Sequence, residues 1–222
     1  MASTQLTSVT PPEPSALTTL IANSAPSDPL SAATIQILHN LQHQHLWTSV
    51  QVHDIKIPNL NASSPPAGSV ATSPEDQSAT PFLISGIPPH RVYTHPDEQL
   101  YLLERGLREE DVELERMFVL SAIKNQPWSL RKMAAVFDSL PDEAEIQAAE
   151  VSMNGGEELG EGGSKEKAAQ LAEYYEYRKR ARLTKEWGGK RLLLAMVDRG
   201  MGGDGTVVYY VVQEGAVKPR QN

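Results

Sequence analysis

Near the C-terminus six consecutive residues, Val207-Val208-Tyr209-Tyr210-Val211-Val212, are all β-branched or aromatic. Side chains along a strand point to opposite faces in turn, so a strand with one solvated face alternates apolar and polar residues. This run does not alternate. Val207, Tyr209 and Val211 would line one face, and Val208, Tyr210 and Val212 the other. Leu192 to Val197 is also apolar, and Asp198 to Gly205 between the two runs is a Gly/Asp turn, so the pair reads as an antiparallel hairpin. A strand that is apolar on both faces belongs in one of two places. It can sit mid-sheet under helices of its own chain, or at a surface covered by another protein. Few helices are available in this chain, which favours the second.

The rest of the chain reads as one small domain with inserts. Residues 1–28 are rich in Ser, Thr and Pro, with little apolar surface to offset ordering entropy, and read as a disordered tail. Asp28-Pro29 is a helix start, and a helix to about Leu46 would place Ile35, Leu38 and Leu41 on one side. Val50 to Ile57 reads as a strand with a bulge near His53-Asp54, because its two alternating halves are out of phase. Residues 58–80 form a Pro/Ser/Ala loop, and Phe82 to Ile84 a second strand ended by Gly86. His95-Pro96-Asp97-Glu98 opens another helix, with Leu100, Leu103 and Leu107 as its expected buried stripe. Met117 to Leu120 reads as a strand. Ser129 caps a helix with Leu130, Met133, Ala134 and Phe137 on one face. Residues 142–187 read as an insertion: an acidic Gly/Glu linker to Ser164, then a charged helix to Trp187 with no clear apolar stripe. A helix of that kind could depend on a partner for its fold. The expected fold is therefore α/β (α+β) over residues 29–219: a small mixed, mostly antiparallel sheet with flanking helices.

Composition removes several function classes. The chain has no cysteine, so disulfides, thiolate metal sites and cysteine nucleophiles are excluded, and a nuclear or cytosolic setting is expected. No run is long and apolar enough to span a bilayer, and the N-terminus lacks a signal-peptide layout. Acidic residues outnumber basic ones 28 to 20, for a net charge of −8. Nucleic-acid binders that act alone usually carry the opposite sign. The one strong basic cluster holds Arg178, Lys179, Arg180 and Arg182, with Lys190 downstream and Tyr174, Tyr175 and Tyr177 interleaved. It reads either as an RNA contact or nuclear-import signal, or as a solvated helix face. Gly200 to Gly205 matches G-x-G-x-x-G, but a strand follows where nucleotide binding needs a helix, so it reads as a turn. His39 and His43 have zinc-like spacing without the glutamate of the protease motif, and no metal or other cofactor is expected.

Four stretches, in order, resemble a known family. They are Leu46-Trp47-Thr48-Ser49-Val50, Arg91 to Gln99, Trp128 to Asp138, and the hairpin from Lys190 through Tyr210. The hairpin resembles that of the tRNA-intron endonuclease family, and the four together are most similar to the small structural subunit of the fungal tRNA-splicing endonuclease. The tail, the 58–80 loop and the 142–187 insertion carry none of the likeness. The resemblance implies that Val207 to Val212 pair edge to edge with the same strand of a second subunit. It implies that an acidic turn, here Asp198 and Asp204, enters a basic pocket on a catalytic partner, although Arg199 and the glycines make this turn less acidic than the family's. It also implies a place beside catalytic and structural subunits and contact with pre-tRNA through the complex; homodimer formation stays open for the chain when alone. The family's active subunits cleave with a tyrosine, a histidine and a lysine acting as base, acid and cation. Lys190 matches the lysine, but all six histidines lie at or before His95 and none fits the motif. No catalytic residue is therefore expected. The alternative function is an RNA-binding adaptor acting alone through residues 174–191.

Overall fold

The computed structural model describes residues 13–24, 28–55, 82–124, 128–141, 165–198 and 206–214. Helix α1 (Ala16–Ser24) forms within the expected tail, and none of its residues is buried. Helix α2 (Pro29–His43) begins at Asp28, whose carboxylate accepts from the backbone N–H groups of Leu30 and Ser31 at 3.1 and 3.0 Å. The side-chain hydrogen bond from Ser31, added to these two, holds the Asp28 carboxyl below its usual range. Strands β1 (Thr48–Asp54) and β2 (Phe82–Ile87) follow, then α3 (Pro96–Glu104), a 3₁₀ turn at Glu109–Asp111 and β3 (Met117–Ile123). Helices α4 (Leu130–Ser139) and α5 (Lys165–Leu183) precede the hairpin of β4 (Arg191–Val197) and β5 (Val207–Gln213).

The five strands lie in chain order in one sheet. Every pairing is antiparallel except β3 with β4, which is parallel. The sheet is thus mixed and mostly antiparallel, as its sequence pattern implies. β3 is central and buried on both faces except at Ile123, consistent with its apolar run from Met117 to Leu120. On one face Ala33, Ile37 and Leu41 of α2 pack on Ile84, Val119, Leu193, Ala195 and Val197. On the other, Val136, Phe137 and Leu140 pack on Leu83, Phe118, Leu120 and Leu192. A third cluster joins α3 to α5 through Leu102, Leu107, Val112, Tyr174, Ala181 and Trp187.

Several local expectations are corrected. The bulge in β1 lies between Thr48 and Gln51, not near His53-Asp54; pairing is continuous from Gln51 to Asp54. Ser49 absorbs the irregularity with a φ of 49°. β2 runs through Gly86 instead of ending there. A Cβ on Gly86 would sit 3.0 Å from Trp47 Cε3 and 3.3 Å from Thr48 O, so glycine lets the Trp47 ring lie against the strand. The inward stripe of α2 is Ala33, Ile37 and Leu41, while Ile35 and Leu38 are only half-buried. In α3 the inward residues are Glu98 and Leu102, and Leu100 and Leu103 are exposed; Leu107 is buried as expected, beyond the turn at Gly106. In α4 the packing face is Val136, Phe137 and Leu140 with Met133, while Leu130 and Ala134 face outward. Helix α5 does have an inward face: Tyr174, Arg178 and Ala181 are buried at helical spacing against the chain's own α3. The 58–80 loop, the 142–164 linker and the 199–205 turn lie outside the described residues.

Candidate subunit interface

Seven consecutive residue pairs join β4 to β5, from Arg191 with Gln213 to Val197 with Val207. β4 pairs with β3 on its other side, so β5 has one neighbour and one unpaired edge among the described residues. On the α2 face, Val207 and Tyr209 pack against the core. The Tyr209 hydroxyl donates to Asn40 Oδ1 at 2.6 Å, and the His45 ring meets the tyrosine edge-on at 5.3 Å. Burial pushes the Tyr209 phenol up from a value at which it is already a donor at neutral pH. On the α4 face, Val212 packs against the core. Val208, Tyr210 and Val211 are left 42%, 50% and 39% exposed. The chain's own helices therefore cover β5 in part, and apolar side chains from both faces remain in solvent.

The two edges of the sheet differ in how they are guarded. Exposed strand edges are usually blunted by charges, prolines or bulges. β1 carries a bulge, and its sequence Thr-Ser-Val-Gln-Val-His-Asp is mostly polar. β5 pairs without a register shift and holds neither proline nor a charged residue from Val207 to Gln213. Among the described residues, β5 is the edge whose apolar, unbroken pairing surface can accept a further strand.

The other residues singled out in sequence are scattered. The Asp198 carboxylate lies 2.5 Å from Lys124 Nζ, so it is tied to the end of β3. Asp204 lies outside the described residues. Lys190 Nζ donates to the Leu140 carbonyl at 2.8 Å, anchoring the start of β4 to the end of α4. His39 and His43 meet ring to ring at 4.4 Å. His95 caps α3 through Nδ1, which accepts from the Asp97 N–H.

The basic cluster divides in two. Arg178 is 5% exposed and ion-paired with Glu115, and Arg182 reaches the same carboxylate at 3.1 Å. Lys179 and Arg180 face solvent, with Arg180 above the Tyr177 ring at 5.5 Å. Glu115 and Glu98 are also bound by Arg91, at 3.2 and 3.1 Å, and the Tyr174 hydroxyl donates to Glu98 Oε1 at 2.6 Å. Burial raises the Glu98 carboxyl, but the Arg91 charge and the Tyr174 hydrogen bond outweigh it and leave the group below its usual range. Sequence reasoning missed this network. Its signal was the spacing of Tyr174, Arg178 and Ala181, which a count of purely apolar residues passes over.

Taken together, these features define a class: a mixed α/β chain whose last two strands close one side of the sheet and leave an apolar edge unpaired among the described residues. The chain belongs to the Sen15 protein family, whose model matches residues 36–154 and 164–222. A curated relative from Neurospora crassa, named "Probable tRNA-splicing endonuclease subunit tsp-1", is 33% identical over 209 residues, covering 92% of this chain and 72% of the relative. The family match takes in residues 58–80 and all of α5, so it is wider than the four stretches that carry the likeness in sequence.

Proposed function

We propose that this chain is a non-catalytic subunit of a nuclear tRNA-splicing endonuclease, and that it joins a catalytic subunit by strand addition at β5. Family membership and the relative's name support the subunit assignment. The observation that carries the mode of assembly is the unguarded β5 edge with Val208, Tyr210 and Val211 in solvent. A partner strand would satisfy the free backbone groups of this edge while its side chains covered the three residues. The absence of any histidine beyond His95 supports a structural rather than catalytic part in cleavage. The adaptor reading loses support because Arg178 and Arg182 are turned toward Glu115 instead of being offered to RNA.

The test is co-expression with a catalytic subunit, followed by pull-down. Tyr210→Asp places a carboxylate where the partner would exclude water, and is expected to abolish co-purification while leaving the fold intact, since Tyr210 is half exposed. Undiminished co-purification would refute pairing through β5.

A further inference from the structure

The Arg91 side chain is 6% exposed. Its Nη2 serves Glu98 and Glu115, whereas its Nη1 is buried without a hydrogen-bond partner. A buried donor without an acceptor is costly, more so when charged. Arg91 also lines a small cleft, whose polar wall is completed by Glu115 and Arg191 and whose apolar wall is Pro88, Val92, Tyr93 and Met117. The Arg191 guanidinium sits over the Tyr93 ring at 5.4 Å.

Arginines outnumber carboxylates around the cleft, with Glu98 and Glu115 offsetting part of the charge of Arg91, Arg178, Arg182 and Arg191. One oxygen of Glu115 is shared by Arg91, Arg178 and Arg182. Burial, and then the neighbouring charges of Arg182 and Arg91, bring the Arg178 guanidinium down to about 8. Such a site favours an anion with paired oxygens, which matches the fork of a guanidinium.

We propose that this cleft binds a single carboxylate, supplied by an acidic side chain of a protein partner. The small opening and its apolar wall suit a short carboxylate arm better than a phosphodiester with riboses on both sides. Its location fits as well. Arg191 is paired with Gln213, so the cleft lies beside the end of the strand that offers the free edge. The proposal rests on the pairing of β5 with another subunit and names one chemical feature of that subunit.

The experiment uses the isotope-labelled full chain, titrated with sodium acetate and, at equal ionic strength, with sodium chloride and with inorganic phosphate. Acetate is expected to shift the Arg91 side-chain N–H and the Val92 and Tyr93 amides saturably, and chloride to leave them unmoved. Arg191→Gln keeps the Arg91 pairs with Glu98 and Glu115 and is expected to weaken acetate binding about tenfold. If that variant does not fold, the wild-type titration decides alone. No saturable response to acetate, an unaltered response in a folded Arg191→Gln, or a response to phosphate alone would each overturn the proposal. Tyr210→Asp separates the two readings, because it should abolish co-purification and leave the acetate response unchanged.

Discussion

Tyr174→Phe tests whether α5 is held by its buried polar contacts. The substitution removes one oxygen and keeps the ring stacked on Trp187, whose centroid lies 6.1 Å away. What is lost is a 2.6 Å hydrogen bond to Glu98, a carboxylate that is 1% exposed. Hydrogen bonds to charged groups are worth about 1.5–3 kcal/mol. Arg91 still donates to the same oxygen at 3.1 Å, which places the expected loss near the middle, about 2 kcal/mol. With a urea slope of about 2 kcal/mol/M, the unfolding midpoint should fall by about 1 M. Tyr175→Phe is the control. Its hydroxyl accepts from the Glu113 N–H at 3.0 Å in an exposed setting, so its loss should cost under about 1 kcal/mol. Circular dichroism during urea unfolding of both variants gives the comparison. Equal midpoints for the two variants would refute the claim that the Glu98 network fastens α5 to the domain.

Two further outcomes follow from the same packing. Because the Glu98 carboxyl is held below its unfolded value, its stabilising contribution is full above that unfolded value and is lost as pH falls through the folded one; acid titration of Glu98→Gln should show a shallower loss of stability in that window than wild type. Gly86→Ala would press a methyl group on Trp47 and the Thr48 carbonyl and should destabilise by about 1–3 kcal/mol, read from thermal unfolding; an unchanged midpoint would show that the Trp47 ring moves aside freely.

The parts of the fold that depend on local chemistry are readable from the order of residues. Asp28 and Ser129 mark helix starts because a short oxygen-bearing side chain there accepts from free N–H groups of the first turn. The hairpin was legible because β-branched and aromatic residues in unbroken runs, split by glycines, have few other conformations to adopt. Its two-faced apolar pattern also pointed to an uncovered surface, and Val208, Tyr210 and Val211 are exposed. Tertiary structure decided what spacing alone leaves open. Periodicity says that a helix has an inward face, but not which residues lie on it when polar groups can be paired there. Thus α3 turns Glu98 inward and leaves Leu100 and Leu103 in water, and α5 turns Arg178 inward, because Arg91, Tyr174 and Glu115 converge from distant segments to satisfy those charges. The edge position of β5 was likewise a matter of strand order: the parallel pairing of β3 with β4 sets it, and that contact brings together residues more than seventy positions apart.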